Sequence, residues 1–132
     1  MTKGRVIVAF LLFSVGSAAM AGDQSYTCQV NRVYELSEGG SLESSSWEKE
    51  MKGSSFTVSR STGEIIGKVV PTLMAKSTRV VNKGSKKNSF KAVADFGEQY
   101  QLLEIQEFRE GPVKPFVASS MGGAGIVTGS CK

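Results

Sequence analysis

Between Tyr26 and Leu36 the apolar positions Tyr26, Cys28, Val30, Tyr34 and Leu36 alternate with Thr27, Gln29, Asn31 and Glu35. A period of two marks a strand with one buried face, and this one is interrupted once, at Arg32-Val33. Glu38-Gly39-Gly40-Ser41 ends the strand. The stretch that follows, to Gly53, is polar, with Leu42, Trp47 and Met51 as its only large apolar residues. Trp47 and Met51 stand four apart, which fits one short helix around Ser46 to Lys52 with a serine cap.

Alternation returns in Phe56-Thr57-Val58-Ser59-Arg60, and Ser61-Thr62-Gly63 separates this run from Glu64-Ile65-Ile66-Gly67. Gly63 supplies the positive φ that a hairpin turn demands. Further strands are predicted at Thr78 to Asn82, Ser89 to Phe96, Tyr100 to Phe108, Pro115 to Ser119 and Ile126 to Cys131, divided by glycine-containing turns. No long helical pattern follows any strand, which argues against a parallel α/β sheet. Short strands at near-regular spacing predict a mainly β fold, a small antiparallel β-barrel or sandwich of about seven to eight strands with at most one short helix.

The first residues break this pattern. Lys3 and Arg5 precede the apolar run Val6 to Phe13, and Ala19-Met20-Ala21 places small residues at both positions of a cleavage site. This is the layout of an export signal over residues 1–21. Cleavage would leave residues 22–132 as a single β-domain of the ordinary size for one hydrophobic core. It would also halve the formal charge of +4, since Lys3 and Arg5 leave with the signal. The apolar run is far shorter than the roughly 20 residues of a membrane-spanning helix, and no later stretch approaches that length. The mature chain is therefore expected to lack a transmembrane segment and to reside in the bacterial periplasm or beyond.

In an oxidising compartment the only two cysteines, Cys28 and Cys131, are expected to form a disulfide. Their Cα atoms must then lie within about 7 Å. That makes the first and last strands neighbours, so the bond closes the domain between its termini.

Several chemistries fall away. The chain has no histidine, so the usual general base and the commonest metal ligand are missing. Two cysteines engaged with each other leave no thiolate zinc site, and no cofactor or metal is expected. Glu104 with Glu107, or Glu48 with Glu50, could pair as acid and base in glycoside cleavage. Glu104 and Gln106 alternate with Leu103 and Ile105, however, as on a solvated strand face. The run Gly122 to Gly129 lacks the helix that a phosphate-binding glycine loop needs after it. These features predict a protein that is not an enzyme and has no catalytic residue.

Charge is uneven. From Lys68 to Lys91 the chain carries Lys68, Lys76, Arg79, Lys83, Lys86, Lys87 and Lys91 with no acidic residue among them. Lys76, Arg79, Lys83, Lys86, Lys87 and Lys91 form a candidate patch for an anionic partner. Lysines also keep exposed strand edges from aggregating. With Phe90 the sole aromatic among them, base stacking has no platform, and specific nucleic-acid binding is not expected. The aromatic set Tyr26, Tyr34, Trp47, Phe56, Phe90, Phe96, Tyr100, Phe108 and Phe116 reads as a packed core. The same residues could line a hollow barrel around a small apolar ligand, but so short a chain has little apolar material to spare.

Tyr26-Thr27-Cys28, Phe56-x-Val58-x-Arg60-x-Thr62-Gly63-x-Ile65-x-Gly67 and Gly129-Ser130-Cys131-Lys132 together resemble a group of small exported bacterial proteins of unassigned function. Tyr26-Thr27-Cys28 with the late Cys131 is also similar, more weakly, to the MliC-type periplasmic inhibitors of C-type lysozymes. That likeness implies a small β-barrel directed at a cell-wall hydrolase. The Ser-Gly-x-Tyr segment such inhibitors insert into the lysozyme cleft does not occur here. The sequence thus leads to a binding protein acting on an unidentified protein or envelope component.

Overall fold

In the computed structural model, which describes residues 24–121 and 125–132, the first alternating run becomes one long strand, Ser25–Leu36 (β1). The export signal at 1–21 and the middle of the glycine run, 122–124, lie outside the described residues. Tyr26, Cys28, Val30 and Val33 are buried along β1, and the residues between them are exposed. The interruption at Arg32 is a β-bulge: the register against the last strand, Ile126–Cys131 (β9), shifts between Val30 and Arg32. The extra residue restores Val33 to the buried face after an odd step. Gly129 pairs with Val30 at the bulge. A Cβ there would collide with the Gln29 carbonyl oxygen and come within 2.7 Å of the Phe116 ring, so only glycine lets β9 pass.

Between these two strands come Leu42–Ser44 (β2), the single helical turn Glu48–Met51 (α1), Ser55–Ser59 (β3), Ile65–Gly67 (β4), Ser77–Lys83 (β5), Phe90–Asp95 (β6), Tyr100–Ile105 (β7) and Lys114–Met121 (β8). All pairings are antiparallel, in the order β4-β3-β1-β9-β8-β7-β6-β5, with β2 paired to the end of β1. The sheet curls into an open half-barrel. The alternation did not announce β2, because all three of its residues are exposed and no buried face imprints a pattern. The expected serine cap is also corrected. No side chain caps α1; the Ser45 hydroxyl instead accepts the Trp47 N–H at 3.2 Å.

Cys28 and Cys131 are bonded, with Cα atoms 3.9 Å apart and a sequence separation of 103. Thr27 and Lys132 exchange backbone hydrogen bonds of 3.0 and 2.9 Å. The next pair inward, Cys28 and Cys131, is therefore a pair without ladder bonds, the kind whose side chains approach closest.

Aromatic pairs cross the concave side. Phe56 of β3 meets Phe116 of β8 edge to face at 5.2 Å, and Tyr26 of β1 meets Phe90 of β6 at the same distance. Neither pair of strands is adjacent in the sheet, so both contacts span the interior. Only four of the nine aromatic residues expected in the core are buried. Trp47, Tyr100 and Phe108 are exposed, and Tyr34 and Phe96 are half-buried. Trp47 and Phe108 sit beside turns and Tyr100 begins a strand, where the curved sheet no longer covers them. Val69, from the connection between β4 and β5, dips into the core instead.

Candidate functional site

Because β1 and β9 pair in the middle of the sheet, the two ends of the main strand order are β4 and β5, while the three-residue β2, paired only to β1 among the described residues, leaves a further short edge. The Ser59 N–H donates to the Glu64 carbonyl at 2.9 Å. Ladder bonds alternate, so Ile66 faces β3, and Ile65 and Gly67 turn their backbone groups toward the gap. Thr72 from the β4–β5 connection meets Ile65 there: the Ile65 N–H donates to Thr72 Oγ1 at 2.8 Å, and the Thr72 N–H donates to the Ile65 carbonyl at 3.2 Å. The connection is anchored again where Gln101 Nε2 of β7 donates to the Val70 carbonyl at 2.8 Å. Val70 has φ 45°, the left-handed region that a β-branched residue rarely adopts. Such a conformation costs on the order of 1–3 kcal/mol and persists only where the surroundings enforce it.

The gap is a wedge. At its narrow end Gly63, with φ 78°, presses against β5 and β6; a Cβ there would lie 2.9 Å from Ala92 Cβ and 3.4 Å from the Arg79 carbonyl oxygen. At its wide end a cleft of about 540 Å³ opens between Ile65–Gly67 of β4 and Ser77–Thr78 of β5, with Thr72 and Leu73 along it and Glu64 and Lys76 contributing charge. Leu73, Met74 and Ile66 are 90%, 83% and 76% exposed, more than any other large apolar residue among those described. Sequence reasoning did not single them out. The available signal was Leu73-Met74 after Pro71, two large apolar residues belonging to neither strand pattern.

The basic residues are strung along the β5–β6 hairpin from the cleft outward. Lys76 precedes β5, Arg79 and Lys83 lie on it, Lys86 and Lys87 occupy the β5–β6 turn and Lys91 is on β6; all six are exposed. The Lys76 ammonium rests against the β6–β7 turn, where a Cβ on Gly97 would come within 2.7 Å of Nζ. Among the described residues the ion pairs are Arg32–Glu48 at 3.0 Å and Arg60–Glu107 at 3.6 Å. Neither draws on the basic hairpin.

The candidate carboxylates are dispersed into structural contacts. Glu104 accepts the Ser89 hydroxyl at 2.7 Å. Glu107 accepts the Tyr26 hydroxyl at 2.8 Å, and Arg60 lies 4.3 Å over the Tyr26 ring. Burial, and after it the hydrogen bond to Glu107, push the Tyr26 phenol up to about 12. Glu48 accepts the Val33 N–H and Arg32 Nε, each at 3.0 Å, tying α1 to the bulge in β1. Those contacts, the Val33 N–H foremost, hold its carboxyl below the ordinary value. Among the described residues no group of three or more His, Cys, Asp or Glu is placed to hold a metal ion, and no helix is long and apolar enough to cross a membrane.

Compared with protein-family models, with curated proteins and with solved structures, the chain matches none.

Proposed function

We propose that this is an exported, non-catalytic binding protein whose recognition surface is the wedge between β4 and β5. The observation that carries the reading is the contrast between an apolar core and three strongly exposed apolar side chains, the most exposed among the described residues, at the gap where the main strand order ends. An apolar cleft beside a free strand edge supplies buried area and backbone hydrogen bonds together, the two ingredients of strand-addition recognition. Aromatic pairs that cross the interior favour recognition at the rim over an apolar ligand held inside the barrel. Export is supported by the signal-like residues 1–21 and by the disulfide, which persists in oxidising compartments.

The test is site-specific photo-cross-linking in the producing cell. A photoreactive residue at Leu73 is expected to yield a discrete adduct, and the same residue at exposed Glu38, in the β1–β2 turn, none. Identical adduct patterns from both positions would remove the wedge as the recognition surface. The mature N-terminus, expected at Gly22, is read on the same material by Edman degradation; an intact Met1 would overturn export.

A further inference from the structure

Resting on the wedge as the binding surface, we infer that its partner presents a short, extended, acidic segment that adds to the edge of β5, with an apolar side chain filling the cleft. The edge itself calls for a strand. Ser77 and Thr78 of β5 line the cleft opposite Gly67, and among the described residues β5 pairs only with β6. Antiparallel neighbours lie about 4.8 Å apart, so an extended backbone that enters at the wide end comes within hydrogen-bonding reach of β5. It cannot run the full length of the edge, because Gly63 abuts the Arg79 carbonyl. The site therefore takes a few residues, and apolar contact with Leu73 and Ile66 must supply much of the affinity.

Charge selects the sign of the partner. Lys76 lines the cleft, Lys68 immediately follows β4, and Arg79 and Lys83 continue along β5. Among the described residues Glu64 is the one acid lining the cleft. None of these cations appears in the ion pairs of the described residues. An edge so charged repels a second copy of itself, which protects it from self-pairing, and attracts a carboxylate-bearing strand. A second copy of this chain is accordingly the wrong occupant.

The mature protein is titrated with three blocked peptides: alternating glutamate and valine, the same with lysine for glutamate, and the glutamate peptide N-methylated at alternate amides. Amide NMR shifts are expected at Gly67, Ser77 and Thr78 with the first peptide only, weakening as salt rises. Lys76→Glu with Arg79→Glu is expected to weaken binding about tenfold, as loss of rim cations does. Lys86→Glu with Lys87→Glu makes the same change in net charge roughly 20 Å along the hairpin, and should alter affinity less than about twofold given screening. Equal loss from both double variants, equal binding of the lysine or N-methylated peptide, or tighter binding to phosphatidylglycerol vesicles than to the peptide would each overturn the inference. Failure is separable from that of the underlying reading: if the Leu73 adduct forms and the glutamate peptide does not compete for it, the acidic strand is wrong and the wedge stands.

Discussion

The two places where the sheet could have opened are treated in opposite ways. Where the first and last strands meet, β1 and β9 pair from Cys28 to Tyr34, a bulge absorbs the mismatch, Gly129 permits close passage and a disulfide locks the end. Across the barrel β4 and β5 do not pair; a nine-residue connection bridges them, with Val69 sunk in the core and Leu73 and Met74 left outside. Ladder bonds and a covalent link bring the first and last described strands together, whereas the middle of the chain supplies the gap. Local order is therefore expected to fall from the β1–β9 side to the wedge, where the proposed binding surface can yield at little cost to the whole.

The largest expected break in that contrast is Cys28→Ser. A link closing a loop of 103 residues is worth about 4–5 kcal/mol in the chain-entropy model, so the denaturant midpoint under oxidising conditions should fall sharply. An unchanged midpoint would mean that the ladder alone holds the termini.

Next in size is Gln101→Ala, which strips the Val70 carbonyl of its 2.8 Å donor and should cost about 1–3 kcal/mol. Hydrogen exchange should quicken at Val69 and Thr72 before it does at Val30. Uniform acceleration would show that wedge and sealed side unfold as one unit.

Tyr26→Phe removes the hydroxyl that binds Glu107 and should cost about 1 kcal/mol near neutral pH. It also changes the alkaline limb. The folded phenol titrates at about 12 against an ordinary 10.0, so the folded state disfavours deprotonation. Its contribution is whole below about pH 10 and is lost as the pH rises through about 12. Unfolding midpoints recorded across that range should fall less steeply in the variant than in the parent; parallel curves would detach Tyr26 from the stability of this end of the barrel.

The smallest expected effect on stability comes from Leu73→Ser with Met74→Ser, within about 0.5 kcal/mol because both side chains are exposed. The same variant should lose glutamate-peptide binding. A substantial drop in midpoint would instead assign these residues a part in holding the wedge together.

Pattern and turn residues located eight of the nine strands among the described residues and marked the bulge as a broken period at Arg32. This worked because those strands turn one face toward the core, although β5 only half-buries Thr78 and Val80. β2 has no such face, and so left no trace. Charge counting found the basic hairpin as a run in sequence, and the fold kept that run together because β5 and β6 are consecutive antiparallel strands. The Tyr26–Glu107 bond was not legible: its partners are 81 residues apart, and Tyr26 alternates like any core residue. The burial of Val69 beside the exposure of Leu73 was equally hidden, since apolar residues outside a periodic run carry no face assignment.

Local pattern alone determined that this chain is mainly β, that its hairpins are antiparallel and that its two cysteines could clasp neighbouring strands, because period, turn residues and cysteine number act at short range or in pairs. Only the curled sheet decided that aromatic pairs would cross the interior, that five of nine aromatic residues would stay out of the core, and that the opening would fall between β4 and β5. Those outcomes depend on strand order and curvature, which arise from contacts between residues far apart in sequence.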